Sequence, residues 1–581
     1  MALFPSSPLK LPKLPKLSAL PSSLPAFPKL PSNERHGLYL GLVPEKAAAL
    51  HPNAPITLDH DMAAAPELGR QFTQRRLADL VDDMAGRLWA AGVRPRDHVA
   101  LYKTHNFDIY VLACAASRIG GTPVLLSPAL DGETVSALFD RLDRPHLITD
   151  AAKLDGPLAG RPLEKLASAV IVVGAADGAE ADAARAAEDL PRPDSVFLAS
   201  LAGSPRVEPV LLGQDSPALM THTSGTTGIP KLVVHTARSL RGRWMPQARL
   251  ASLIRDRETY AVHVSFVHSR MFMALAVALP KGMPLVVVDH GAPQDVAPLF
   301  AKVRPGFVET HPNSYMEWEE LVDHPLKPLS NVKYFSGTFD AIHPPTMAKL
   351  MSASRRANPL FFQFYGQSEC GPLTGRWYTP KNIHKANGRC LGFPIPGVTH
   401  VRVVPQNDRP ISKQNPGLIE VRSPGRAVGY HAEEERYEKE LHDGWWRTGD
   451  VGYRTRLGCV HLLDRLVDVI PTIDSTLEVE DTVLGRLPEL IELVLVPGPD
   501  REPLPVVCTK NDEPLDRGRW RDAVRDFPDM AEPVQMSLSE LPRTATMKVQ
   551  RVALARRLNA AAGASASGDA GAASDASGSR A

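Results

Sequence analysis

The sequence lacks most of the features that assign a function quickly. It has almost no net charge: 66 Lys and Arg stand against 65 Asp and Glu, leaving +1. No field of one sign is available to attract nucleic acid or an anionic membrane. Cysteine is scarce. Cys114, Cys370, Cys390, Cys459 and Cys508 are scattered and odd in number, which excludes a disulfide-stapled small domain, offers no metal-ligand spacing and fits a reducing compartment. Long apolar runs are missing too. The best, "MFMALAVALP", is too short to cross a bilayer and is followed by Lys281. The opening segment is not read as a secretory signal, because proline interrupts each of its apolar stretches.

What is present is a globular composition, 43% apolar and 23% charged, over 581 residues. That length exceeds one hydrophobic core, so several domains are expected. A proline-rich tail over 1–34 and an Ala/Ser/Gly tail over 559–581 are expected to be disordered. Between them, helical and strand patterns alternate. "RRLADLVDDMAGRLWAAGV" has helical apolar spacing and stops at Gly92, "HVALYK" reads as a strand, "IYVLACAASRIGG" as a helix and "TPVLLS" as a strand. "LVVV" and "VKYFSG" continue the alternation, which predicts an α/β domain built on largely parallel strands. "GLIEVRSPGRAVGY" and "WRTGDVGYRTRLGCVHLLDR" alternate apolar and polar residues around Gly turns and predict a β-rich, antiparallel subdomain. The expected division is a core domain over 35–464 and a small, mobile C-terminal α+β domain over 465–558.

The chemistry concentrates in "THTSGTTGIPK", where five of the first seven residues carry hydroxyls, followed by Pro230 and Lys231. Gly225 and Gly228 let backbone N–H groups turn inward, an arrangement that binds anions. The hydroxyls of Thr223, Ser224, Thr226 and Thr227 can donate to phosphate oxygens, and Lys231 adds charge. The spacing is not that of a Walker loop, which needs Gly-Lys-Ser/Thr.

This stretch resembles the phosphate-binding loop of the adenylate-forming (acyl-CoA synthetase, AMP-binding) superfamily. Four further segments resemble its motifs in its order: "FYGQSECGP", "GWWRTGDVGYR", "LLDRLVDVI" and "LPRTATMKVQR". The resemblance runs from about Phe72 to about Leu558. It implies ATP-dependent activation of a carboxylic acid as an acyl-adenylate with loss of pyrophosphate. Thr223, Ser224, Gly225, Thr226, Thr227, Gly228 and Lys231 are then implied to cradle the β- and γ-phosphates, with Glu369 and Thr226 at Mg²⁺. Ser368 would meet the α-phosphate, Tyr365 would pack on adenine, Asp450 would accept the ribose hydroxyls and Arg465 would assist there. Ser336, Gly337 and Gly366 complete the implied nucleotide set, and Lys548 would bridge the α-phosphate and the carboxylate. His268 would line the acid pocket, and its neighbour Arg270 reads either as a surface or gate residue or as a partner for a second acid group. The family's α-amino-acid enzymes carry an Asp in this segment; Val267 and His268 stand here instead.

Departures from the family pattern bear on substrate and acceptor. In "YFSGTFDAI", Thr338, Phe339 and Asp340 replace small residues and should narrow the pocket against a long fatty chain. The hinge has Val467 where Lys or Asp is usual, and the following "PTIDSTLEVE" has no glycine. Met547 precedes Lys548 where Gly is usual. The adenylation residues are intact while the thioester-forming features are altered. The first expectation is transfer to CoA by a cytoplasmic acyl- or aryl-CoA ligase. The alternatives are a carrier-protein thiol, an amine acceptor including nitrite activation for N–N bond formation, or a non-catalytic nucleotide-binding relative.

Overall fold

The computed structural model describes residues 37–174, 195–223, 229–254, 256–338, 342–499, 501–543 and 549–560. Among these residues the strands form sheets of fourteen, eight and three members. The eight-stranded sheet is mostly parallel: Thr122–Leu125, His98–Leu101, His146–Asp150 and Ala169–Val173 lie side by side. Pro217–His222 joins it parallel to Thr122–Leu125, and Leu232–Thr236 closes that side antiparallel.

The fourteen-stranded sheet changes character along its length. Leu285–Val287, Tyr260–His263, Phe307–Thr310, Tyr334–Gly337 and Leu360–Gln367 run parallel. From Leu360–Gln367 onward the pairing becomes antiparallel, through Gly371–Tyr378, Cys390–Pro394, Val460–Arg465 and Trp445–Arg454. The expected α/β class with a β-rich part is therefore observed, and the two parts share one sheet.

Local sequence explains the framing helices. Thr73 caps Gln74–Ala90 by accepting from the Arg76 N–H at 3.4 Å. Leu77, Leu80, Val81, Met84, Ala85 and Leu88 form its buried stripe. Gly92 ends the region at φ 97°, a conformation that glycine adopts without strain. Helix Asp108–Arg118 is buried almost all round, as the apolar run over 109–116 requires. One core cluster draws on both large sheets and on the helices, from Leu101 and Leu219 to Val262 and Leu285. Each fully buried Leu, Val or Ile contributes about 1.5–3 kcal/mol, so this shared core fixes one sheet against the other.

The chain after Arg465 forms a separate apolar cluster with helix Thr476–Arg486 against the three-stranded sheet. Charged contacts help tie this part to the rest. Asp481 accepts from the Arg389 guanidinium at 2.5 Å and pairs with His343 at 3.1 Å, while Lys413 meets Glu478 at 2.6 Å. Sequence spacing gave no sign that Cys390 and Cys459, 69 residues apart, would meet; the antiparallel pairing brings them together as a disulfide. Cys114, Cys370 and Cys508 are buried and free.

Candidate functional site

The proposed phosphate loop joins two antiparallel strands, Pro217–His222 and Leu232–Thr236. Its base is closed by the Thr223 N–H donating to the Lys231 carbonyl at 3.0 Å. Ser224, Gly225, Thr226, Thr227 and Gly228 lie outside the described residues. The Thr223 hydroxyl is buried with no hydrogen-bond partner among the described residues. Such an oxygen costs about 1–3 kcal/mol unless something accepts from it, which suits a phosphate ligand.

Beside the loop, strand Gly429–Tyr430 pairs with Leu232–Thr236 and sets Tyr430 against Val233. This brings Tyr430 between two predicted residues. The Lys231 ammonium donates to the Tyr430 hydroxyl at 3.0 Å and lies 4.3 Å over its ring. The hydroxyl in turn donates to Glu369 Oε1 at 2.7 Å, with Lys231 and Glu369 4.0 Å apart. Burial lowers the Lys231 pKa, and the Glu369 carboxylate opposes that fall. Burial, then the Glu369 charge, pushes the Tyr430 hydroxyl far above its ordinary value. It therefore stays a neutral donor.

A second group lies where the parallel strands give way to antiparallel ones. A register shift between Tyr365 and Gly366 bends the strand. A Cβ on Gly366 would sit 2.3 Å from the Gly371 carbonyl, so only glycine fits the bend. Ser368 follows it, and its carbonyl accepts from the fully buried Arg243 at 2.7 Å. Tyr365 donates its hydroxyl to Asp450, and Gln367 Nε2 reaches the same carboxylate at 3.2 Å. Asp450 and Arg465 are cross-strand partners, with Arg465 Nε 3.7 Å from Asp450 Oδ1. Ser336 and Gly337 end the neighbouring parallel strand, where the Tyr315 hydroxyl is 3.2 Å from the Ser336 N–H and 3.0 Å from its carbonyl.

His268 occupies another position. It caps helix Ser269–Ala278, its Nδ1 accepting from the Arg270 N–H at 3.0 Å. Arg270 is not a surface group, nor is its charge open to a second acid. Its Nη2 meets Glu309 at 2.6 Å, Gln247 contacts the same guanidinium, and Tyr260 donates to Glu309 at 2.8 Å. Burial opposes the Arg270 charge, but Glu309 outweighs burial and raises its pKa. Thr338 has a buried hydroxyl with no hydrogen-bond partner among the described residues, while Phe339, Asp340 and Lys548 lie outside them. Flanking Lys548, Arg543 and Val549 form an isolated bridge; burial and then Glu320 raise the Glu317 pKa, and Arg543 opposes them.

Sequence reading missed Tyr430, Gln367 and Arg243. Gln367 lies inside a quoted motif but its contact with Asp450, like the bonds of Tyr430 to Glu369 and of Arg243 to Ser368, spans 60 or more residues and left no local pattern.

The chain itself has counterparts among known proteins. The pattern described as AMP-binding enzyme matches residues 44–431. The chain belongs to that family. AMP-binding enzymes similar to it include a 3-amino-2-hydroxy-4-methoxybenzoate diazotase of Streptomyces cremeus, 48% identical over 528 residues, covering 90% of this chain and 96% of the relative. A 4-chlorobenzoate–CoA ligase of an Arthrobacter species is 25% identical over 552 residues, covering 88% of this chain and 94% of the ligase. Among solved structures, an anthranilate CoA ligase in complex with anthranoyl-AMP superposes with TM-score 0.74 at 16% identity, covering 91% of this chain and 98% of that one. The expected superfamily and fold class are thereby established, and with them adenylating chemistry. CoA as acceptor is not.

Proposed function

We propose that the protein is an ATP-dependent diazotase: it adenylates nitrite and passes the activated nitrogen to the amine of an amino-substituted aryl acid. The observation that carries this reading is 48% identity, across nine-tenths of the chain, to a diazotase of an aminohydroxybenzoate. The CoA-ligase expectation rests on relatives such as the 25%-identical chlorobenzoate ligase and is the weaker of the two.

The chemistry suits a carboxylate-activating site. Nitrite, like a carboxylate, is a bent anion with two equivalent oxygens. One nitrite oxygen attacks the α-phosphate, pyrophosphate leaves, and a mixed nitrite–AMP anhydride results. The arylamine then attacks the nitrogen, AMP departs, and an N-nitroso amine forms. Protonation and loss of water give the diazonium group.

In this reading Thr223, Ser224, Gly225, Thr226, Thr227, Gly228 and Lys231 hold the β- and γ-phosphates. Ser368 bonds the α-phosphate. Tyr365, Gly366, Ser336 and Gly337 line the adenine side, and Asp450 accepts from the ribose hydroxyls with Arg465 beside it. Lys548 neutralises charge at the α-phosphate. Glu369 and Thr226 would hold Mg²⁺, a hard cation that favours oxygen ligands and spreads the phosphate charge. The Tyr430 hydroxyl fixes Glu369 and Lys231 at one separation, so the phosphates meet a preorganised pair. His268 and Thr338 face the organic substrate.

The hinge supports an acceptor other than CoA. Where the family has a glycine turn, Ser475 Oγ donates to the Leu463 carbonyl at 2.7 Å and caps helix Thr476–Arg486. The Thr476 N–H and hydroxyl both donate to Asp464. The segment is tethered to the strand that precedes it.

The test is AMP release from ATP with nitrite, an aminobenzoate panel and CoA, each omitted in turn, with diazonium trapped by coupling to a phenol. AMP and coupled dye should depend on nitrite and be indifferent to CoA. Formation of an aryl-CoA thioester without any response to nitrite would overturn the reading.

A further inference from the structure

Away from the nucleotide groups, Cys390 and His461 are cross-strand partners in strands Cys390–Pro394 and Val460–Arg465, and Cys459 immediately precedes the second strand. The three side chains are 1%, 8% and 7% exposed respectively. Their two sulfurs and one imidazole nitrogen all lie within 4.8 Å of one another. The His461 Nδ1 is buried with no hydrogen-bond partner among the described residues. A buried imidazole nitrogen normally finds a partner, so this one signals a ligand. The Tyr453 ring stacks on the imidazole at 4.9 Å and 15°, which fixes its plane.

We propose that, with the cysteines reduced, Cys390, Cys459 and His461 hold a zinc-type divalent cation. Two thiolates and an imidazole are a soft-to-borderline donor set. They favour Zn²⁺ over Mg²⁺ or Ca²⁺, which need oxygen. The two thiolates balance the ion's charge, so a neutral unit enters the buried site. Arg376 Nη1 donates to Cys390 Sγ at 2.7 Å, an outer partner of the kind that orients a thiolate ligand. Three protein ligands leave one tetrahedral position for water.

The disulfide is the alternative state of the same pair. A dithiol reductant supplies two electrons and two protons, opens the S–S bond to two thiols and becomes a disulfide itself. Metal uptake then releases the two thiol protons to solvent. Occupancy would clamp the strand that ends at Arg465 and leads into the C-terminal segment.

The experiment uses the full chain, reduced with a dithiol that is then removed anaerobically, against the same chain left oxidised. Bound Zn²⁺ is counted by atomic emission after equilibrium dialysis, and Co²⁺ reports thiolate ligation through its charge-transfer absorption. Reduced protein should bind one metal per chain and oxidised protein none. Cys390→Ser/Cys459→Ser should lose the thiolate band. His461→Gln should weaken binding at least as far as loss of an outer-shell partner does, on the order of 10–100-fold. Equal uptake by reduced and oxidised chains would overturn the proposal, since that comparison needs no variant. So would a thiolate band that survives in the double-serine variant, because Cys114, Cys370 or Cys508 would then be the source.

Discussion

The nucleotide side and the hinge side of this molecule obey different rules. Around Asp450, Tyr365, Glu369 and Lys231, motif residues distant in sequence converge on shared hydrogen bonds, and each charged group has a partner. At the hinge, a segment that should be glycine-rich is anchored by Ser475, Asp464 and Thr476. The first carries the residues proposed to make an adenylate, whereas the second has no glycine and is tied to the strand before it. Under the proposed function, activation and transfer would be separable, with the acceptor changed through the hinge and the nucleotide groups kept.

The strongest way to break this contrast is at Lys548. Lys548→Ala should lower nitrite-dependent AMP release by roughly 10²–10³-fold, the usual cost of one transition-state charge partner, with ATP binding little changed. An unchanged rate would remove that lysine from the chemistry.

The hinge should reveal itself through pH. Burial, only partly offset by the Thr476 donors, pushes the Asp464 carboxyl up to about 7 from an ordinary 3.8. The folded state thus keeps a proton that the unfolded chain loses. Its stabilising contribution is complete below about 3.8 and disappears as pH rises through about 7. Each pKa unit is about 1.4 kcal/mol, so the wild type should lose about 2–4 kcal/mol relative to Asp464→Asn between those limits. Chemical denaturation at several pH values would measure it; parallel curves would show that Asp464 is not held protonated.

Tyr430→Phe sharpens the nucleotide side. It removes one hydroxyl bonded to two charged groups, where such hydrogen bonds are worth about 1.5–3 kcal/mol. kcat/KM for ATP should fall roughly 10–100-fold, and an unaltered value would mean that Glu369 and Lys231 need no bridge. The smallest effect belongs to Ser475→Ala, which should cost about 1 kcal/mol of helix capping and lower the unfolding midpoint of the C-terminal segment by a few degrees.

Much of this was legible in the sequence. Short motifs singled out the candidate phosphate loop, Tyr365, Glu369, Asp450 and Arg465, of which the structure brings Tyr365, Asp450 and Arg465 together, and the strand–helix alternation gave the parallel sheets. What could not be read depends on pairing at long range. Tyr430 reaches Lys231 and Glu369 only because its two-residue strand adds to the edge of a sheet formed some two hundred residues earlier. Arg270 read as a surface, gate or substrate-facing residue until Glu309 was found beside it. Two cysteines that looked unrelated meet because their strands are antiparallel neighbours.

The grip of Asp481 on Arg389 and His343 acts as a catch. Any movement of the C-terminal segment would carry the carboxylate with it and take from the Arg389 guanidinium, only 9% exposed, its counter-charge. Any pose that separates the two must give that guanidinium water or another anion in place of Asp481.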